Sequence, residues 1–125
     1  MRTWTEADLA GGIRAKTGRI KGISPSADRT YNGRIYHSKA EAQCAVRLDL
    51  AVKAGGYKEW WPQVRYPIVI KGRKVCDVVV DFVVETPQCK LFALEVNGHE
   101  TDLYKLKVKL LRACYPDLNY VVERV

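Results

Sequence analysis

The sequence predicts a single α/β domain in which one sheet is covered by a helix on each face. Three apolar segments rich in β-branched residues lie between two amphipathic segments with helical periodicity, and a further apolar segment follows. The middle segments are apolar at nearly every position, which is typical of strands covered on both sides. The 125 residues are enough for one domain with a hydrophobic core. The predicted order is α-β-β-β-α-β, with a mixed central sheet flanked by helices.

The chain begins with a basic arm, residues 1–30, that shows no periodicity beyond one short helix that residues 4–10 could form. The segment YNGRIY follows, and its Asn32-Gly33 pair predicts a tight hairpin turn. Residues 31–125 are therefore predicted to form the folded domain.

The clearest helix is SKAEAQCAVRLDLAVKAGG. Ser38 is a suitable N-cap, and Glu41 three residues later makes a capping box. Gly55-Gly56 ends the helix. Glu41 also falls within the apolar arc of this helix. The other members of that arc are Cys44, Ala45, Leu48, Ala51 and Val52.

Strands are predicted at 64–70 (VRYPIVI), 75–84 (VCDVVVDFVV) and 90–96 (KLFALEV), separated by the turns KGRK and ETPQ. Short turns make consecutive strands antiparallel neighbours. A second amphipathic helix is predicted at 101–114, ending before YPD, and the last strand is LNYVVERV.

Two acidic residues, Asp81 and Glu95, interrupt apolar strands. Strict alternation predicts one face with Asp77, Val79, Asp81 and Val83, and one with Leu91, Ala93, Glu95 and Asn97. Adjacent carboxylates in an apolar setting repel each other unless they are neutralised. A divalent cation would do this, with Glu41 as a third carboxylate and the Val96 carbonyl as a further ligand. The alternatives are exposed or ion-paired strand residues, and a purely capping role for Glu41.

The charge distribution favours a polyanionic partner. Lys and Arg number 21 against 14 Asp and Glu, which gives a net charge of +7. A solubility role is the alternative. Candidate phosphate contacts lie in the arm, at the first hairpin, at the KGRK turn and on the second helix: Arg14, Lys16, Arg19, Lys21, Arg34, Lys71, Arg73, Lys74, Lys105 and Lys109.

The four cysteines form no CxxC pair and are expected to be small buried hydrophobes in a reducing compartment. No apolar run approaches the roughly 20 residues of a membrane span, and no signal-peptide core precedes the domain. We expect a cytoplasmic protein without a membrane partner.

The order of elements, with Glu41, then Asp81, then EVN, resembles the restriction-endonuclease-like fold of the PD-(D/E)XK nuclease superfamily. The segments YNGRIYHSKAEA, WWPQVRYPI, VVVDFVV, LEVNGHET and YKLKVKLL are similar to a family of small phage-type proteins of undetermined function assigned to that superfamily. The resemblance begins near Tyr31 and runs to the C-terminus. It implies a phage or prophage protein that hydrolyses phosphodiester bonds of DNA with Mg²⁺ or Mn²⁺.

The resemblance also implies roles for single residues. Asp81 matches the metal-bridging aspartate, Glu95 its acidic partner, and Glu41 the helix-borne glutamate of many such nucleases. Gln63 matches a glutamine of the phage-type family, and Tyr104, Lys107 and Lys109 match its second-helix pattern. Small enzymes of this fold often act as dimers, so a homodimer is compatible with the resemblance.

The sequence departs from the superfamily pattern at Asn97, which stands where the motif lysine is expected, two residues after Glu95. Asparagine can position a water but supplies no charge. Lys107 lies in the apolar arc of the second helix, where it could snorkel to solvent or replace the motif lysine. The chain is thus predicted to be a metal-dependent nuclease, or alternatively a non-catalytic nucleic-acid-binding module on the same fold. A basic adaptor for an acidic protein is a second alternative.

Overall fold

A computed structural model of the chain describes residues 25–96 and 100–124. In these ranges two α-helices and two sheets follow a short 3-10 turn at Ser26–Arg29. The helices are α1 (Lys39–Lys53) and α2 (Asp102–Cys114). The small sheet pairs β1 (Thr30–Tyr31) with β2 (Arg34–Ile35), and the large sheet contains β3 (Glu59–Ile70), β4 (Arg73–Glu85), β5 (Leu91–Val96) and β6 (Asn119–Glu123).

The predicted order α-β-β-β-α-β and the mixed sheet are confirmed from α1 to β6. The strands lie in the order β3-β4-β5-β6, with two antiparallel pairings and a parallel pairing of β5 with β6. The parallel pair requires a crossover, which α2 supplies. The Asn32-Gly33 turn is also observed, and both residues have positive φ (51° and 80°). Neither α-helix, of 15 and 13 residues, is of a length and apolarity that would let it cross a membrane.

Each face of the large sheet is covered by one helix. We call the buried residues beneath α1 the α1 cluster: Tyr36, Ala42, Cys44, Ala45, Leu48, Phe82, Val84, Leu94 and Val96. The buried residues beneath α2 form the α2 cluster: Ile68, Cys76, Val78, Val80, Val83, Ala93 and Leu111. Neighbouring residues of one strand, such as Ala93 and Leu94, belong to different clusters, so the two helices lie on opposite faces.

The prediction that side chains alternate strictly between the two faces along β4 is wrong at Asp81. Val80 belongs to the α2 cluster and Phe82 to the α1 cluster, although residues two apart should share a face. Val83 then packs beside Val80 on the α2 side rather than with Asp81. The strand therefore rotates by about one residue at Asp81, and this carboxylate lies where the faces change over.

Strand β3 changes face at the same level. Trp60 packs against the α1 cluster and Val64 against the α2 cluster. Between them Gln63 has a φ of 49°, which is uncommon for a residue with a side chain. The register puts Gln63 opposite Asp81, because the flanking pairs are Pro62↔Phe82 and Val64↔Val80. Both strands of the hairpin thus distort together.

Strand β3 begins at Glu59, five residues before the predicted start. Asp49 of α1 stabilises these additional strand residues. The Asp49 carboxylate accepts hydrogen bonds from Trp60 Nε1 (2.8 Å) and from the Tyr31 hydroxyl (2.6 Å). This one side chain therefore connects α1 to β3 and to the first hairpin.

We expect Asp49→Ala to lower the free energy of unfolding by about 2 kcal/mol, because two donors lose a charged acceptor. Urea denaturation of the purified chain measures this. Asp117→Ala, at an exposed turn, is the matched control and should change stability little. Equal stability of the two variants would contradict the connecting role of Asp49.

Candidate active site

The three predicted carboxylates converge at the point where the strands change face. Glu41 comes from the first turn of α1, Asp81 from the middle of β4 and Glu95 from the end of β5. Glu41 and Asp81 lie close enough that each carboxyl group shifts the pKa of the other. The Asp81 backbone N–H donates to Glu95 Oε2 (3.3 Å). Residues distant in sequence therefore share one acidic pocket.

Asp81 and Glu95 lie where the β4–β5 ladder stops. The last pair on this side is Phe82↔Leu94. One residue further, the Asp81 and Glu95 side chains accept backbone N–H groups in place of backbone carbonyls. The Val96 N–H, for example, donates to Asp81 Oδ2 (2.8 Å). The predicted contribution of Val96 was its carbonyl, whereas the contact in the structure uses its N–H. Two half-buried carboxylates thereby fill the gap between separating strands.

The capping role of Ser38 is confirmed, since the Glu41 N–H donates to Ser38 Oγ (3.1 Å). The Glu41 carboxylate is only 5% exposed, and Oε2 accepts from the Ser38 hydroxyl (3.3 Å). Its Oε1 atom is buried and accepts no hydrogen bond from any residue in the described ranges. A capping role alone does not account for this buried oxygen without a hydrogen bond. The Oε1 atom is therefore available as a metal ligand.

The proximity of the three carboxylates shifts their protonation toward the acid form. Burial, and then the charge of Asp81, raise the pKa of Glu41 to about 8. The same two causes raise the pKa of Glu95 to about 7. Burial also raises the pKa of Asp81, although the hydrogen bond from Val96 opposes this. The pocket holds more acidic groups than it can ionise together near neutral pH, so it favours a cation.

The donor chemistry fits a hard divalent metal. Mg²⁺ and Mn²⁺ prefer carboxylate oxygen, and Glu41 Oε1 accepts no hydrogen bond from the described residues. Within residues 25–96 and 100–124, however, no three His, Cys, Asp or Glu side chains stand in the arrangement of a metal site. The reason is visible in the contacts, because Asp81 and Glu95 are turned toward backbone N–H groups. A metal would require these carboxylates to rotate.

Gln63 is the neighbour of Asp81 on strand β3. It lies opposite Asp81 in the sheet, and its Oε1 accepts from Arg34 Nη1 at 3.4 Å. A residue predicted from the phage-type resemblance therefore contacts a predicted phosphate-binding residue. The unusual backbone of Gln63 is part of this placement.

Lys107 lies on the sheet-facing side of α2. Tyr104, one turn before it, places its hydroxyl 2.7 Å from that of Tyr120, and Leu111, one turn after it, is buried. Lys107 itself is half-buried. In the described part of the chain it forms no ion pair with Asp81 or Glu95. Its replacement of the motif lysine therefore stays a prediction.

Two residues of the pocket surroundings were not singled out from the sequence. His37 Nδ1 lies 4.0 Å from Glu41 Oε1, with an exposed ring at the pocket mouth. Tyr120 of β6 lies near the carboxylates from the α2 side, and burial, Tyr104 and then Glu95 raise its pKa. The spacing of four residues from His37 to Glu41 is a usable signal. The position of Tyr120 follows only from the pairing of β6 with β5.

Several predicted contacts lie elsewhere. Asn97 and the arm residues Arg14, Lys16, Arg19 and Lys21 fall outside the described residues. Lys105 and Lys109 are exposed on α2, and Lys71 and Arg73 are exposed at the β3–β4 turn. Lys74 is also exposed there, but its Nζ lies 2.9 Å from Asp77 Oδ2, which partly neutralises it. Of these cations, the five that the structure describes form no ion pair with Glu41, Asp81 or Glu95.

Compared with protein-family models, curated proteins and solved structures, the chain matches none of them. The functional assignment therefore depends on the residues of the pocket and on the surface charge.

Proposed function

We propose that the protein is a metal-dependent nuclease that hydrolyses phosphodiester bonds of DNA, built on a restriction-endonuclease-like fold. The observation that carries this proposal is the convergence of Glu41, Asp81 and Glu95 in one pocket whose protonation is shifted toward the acid form. The three partly buried carboxylates favour a bound cation. The net charge of +7 on the chain favours a polyanionic partner.

Glu41, Asp81 and Glu95 would hold Mg²⁺ or Mn²⁺. When bound, such an ion would polarise the phosphoryl oxygens as a Lewis acid and stabilise the negative charge that develops on them. Neighbouring residues would bind the phosphate and orient the water. Arg34, held by Gln63, is positioned to bind a phosphate. Asn97 would orient a water, as the sequence motif implies.

A second candidate function, DNA binding without cleavage, uses the same fold. It is favoured by one observation, that Lys107 has no ion pair with the carboxylates while Asn97 replaces the motif lysine. Both candidate functions require DNA binding, and only the nuclease requires cleavage.

A cleavage assay tests the proposal. Linear duplex, nicked, single-stranded and four-way-junction DNA would each be incubated with Mg²⁺, Mn²⁺ or EDTA. Products in metal and none in EDTA support the nuclease. Binding at low salt without products in any metal supports the non-catalytic module. No DNA affinity at all would favour a basic adaptor for an acidic protein.

We expect Lys107→Met to slow metal-dependent cleavage on the order of 100-fold without weakening DNA binding, because it removes a cation from the sheet-facing side of α2. Lys105→Met, an exposed lysine on the same helix, is the matched control. Cleavage rates and DNA dissociation constants of both variants provide the comparison. Unchanged cleavage in Lys107→Met would mean that this lysine only extends to solvent.

A further inference from the structure

The end of the β3–β4 hairpin, residues 69–75, forms a surface that differs from the rest of the sheet. All seven residues are exposed. Three are aliphatic, with Val69, Ile70 and Val75 exposed to 49%, 45% and 50%. The segment contains Lys71, Arg73 and Lys74 and no acidic residue, although Lys74 pairs with Asp77 just outside it. We call this surface the hairpin tip.

The tip extends beyond the support of α2. Ile68 is fully buried in the α2 cluster, and the Tyr115 hydroxyl donates to the Pro67 carbonyl at 2.7 Å. Within the part of the chain that the structure describes, residues 69–75 have no such cover. The register shifts between Ile68 and Val69, which leaves Val75 as an extra residue on β4. Such a bulge bends and twists a strand pair, so it redirects the tip relative to the sheet.

Each face of the tip couples one aliphatic side chain with one cation. Val69 pairs with Lys74 and Ile70 with Arg73, and paired residues share a face. Lys71 and Gly72 make the two-residue turn, with φ values of 49° and 77°. A narrow, twisted ribbon with apolar and basic groups on both sides suits a DNA groove, where phosphates line both rims and base edges form the floor.

We propose that the hairpin tip is a second DNA contact, which enters the minor groove of duplex DNA and places its aliphatic residues against the base edges while its cations bind the two phosphate backbones. This inference rests on the proposed nuclease function for its partner. It specifies duplex DNA as the substrate form. It also sets the distance between the hairpin tip and the site of cleavage.

The distance follows from strand geometry. Val75 and Asp81 are six residues apart on β4, which corresponds to about 20 Å at roughly 3.3 Å per residue. One strand of B-DNA advances about 3.4 Å per nucleotide, so the tip reaches about 6 base pairs from the carboxylates. Cleavage should therefore require duplex on one side of the cut to at least that length.

Binding to a 30-base-pair duplex in EDTA tests the tip without cleavage. We expect the double variant Val69→Ser with Ile70→Ser to raise the dissociation constant about 10-fold without changing the salt dependence. Lys71→Ala with Arg73→Ala should reduce the slope of log K against log salt by about 2. The conservative pair Val69→Leu with Ile70→Leu should bind like the wild type. Leu50→Ser, an exposed leucine on α1, is the control.

The outcomes separate the two proposals. Wild-type affinity in the serine variant overturns the insertion of the tip and leaves the nuclease standing. Tip-dependent binding by a chain that never cleaves leaves the tip standing and removes the nuclease. Binding of the tip to vesicles containing phosphatidylserine, with DNA affinity unchanged by the serine variant, would identify an anionic membrane as its partner and overturn the inference.

Discussion

Asp81→Asn will bind DNA with the affinity of the wild type and will not cleave it. Asparagine keeps an oxygen that can accept from the Val96 N–H, so the strand ends should remain in place. It removes the charge that stands between Glu41 and Glu95. We expect cleavage to fall by at least about 1,000-fold, since on the proposed function the substitution removes a metal ligand rather than a supporting contact. Single-turnover cleavage under saturating enzyme gives this ratio.

The matched control for Asp81→Asn is Asp77→Asn, a second buried aspartate on the same strand. Asp77 pairs with Lys74 rather than with the other carboxylates. Its variant should cleave normally. Thermal melting supplies a readout that is independent of activity, because Mn²⁺ should raise the midpoint for the wild type and for Asp77→Asn but not for Asp81→Asn. Cleavage by Asp81→Asn at the wild-type rate would remove these carboxylates from the reaction.

The second large effect concerns pH. The stability of the metal-free protein should fall as pH rises from about 4.5 to about 8, opposite to a protein stabilised by ionised carboxylates. The pKa of Glu41 rises from 4.5 when unfolded to about 8 when folded. Between these values the folded state binds more protons than the unfolded state, so the free energy of unfolding decreases with pH. Glu95 adds to the fall between 4.5 and about 7. At about 1.4 kcal/mol per pKa unit, a total loss of several kcal/mol is expected.

Glu41→Gln isolates this effect, because the amide has the same shape and no charge. We expect the variant to match the wild type in stability at pH 4.5 and to exceed it at pH 8.5. Glu59→Gln, at an exposed position of β3, is the control and should leave the pH profile unchanged. Urea denaturation across this pH range, with and without Mn²⁺, measures it. A wild-type profile that is flat or rises between pH 5 and 8 would show that folding does not raise the pKa values of these carboxylates.

The elements of this fold could be predicted because each has a local cause. Ser38 and the paired glycines bound α1, and Asn32-Gly33 selects the first turn. The adjacency of Asp81 and Glu95 follows from the short turn between their strands, and the structure brings the two side by side. These predictions needed only periodicity, capping and turn length.

The change of face at Asp81 could not be predicted in this way. It requires Gln63 to adopt a left-handed backbone conformation, and glutamine carries no preference for one. The cause is the joint twist of two long strands between different helices, which appears only once both helices are packed. The same limit applies to Tyr120, whose position depends on the crossover through α2.

The position of β3 at the end of the sheet has a consequence for how copies of the chain can meet. β3 is 12 residues long and, among residues 25–96 and 100–124, is hydrogen-bonded to a neighbouring strand on one side only. Such an edge is a template for strand addition and for aggregation. Pro62 and Pro67 remove two of its amide hydrogens, and the exposed Arg65 between them repels a like-charged edge. A second copy that extended the sheet here would meet an interrupted row of donors, so any dimer should form through another surface and the chain should resist filament growth at high concentration.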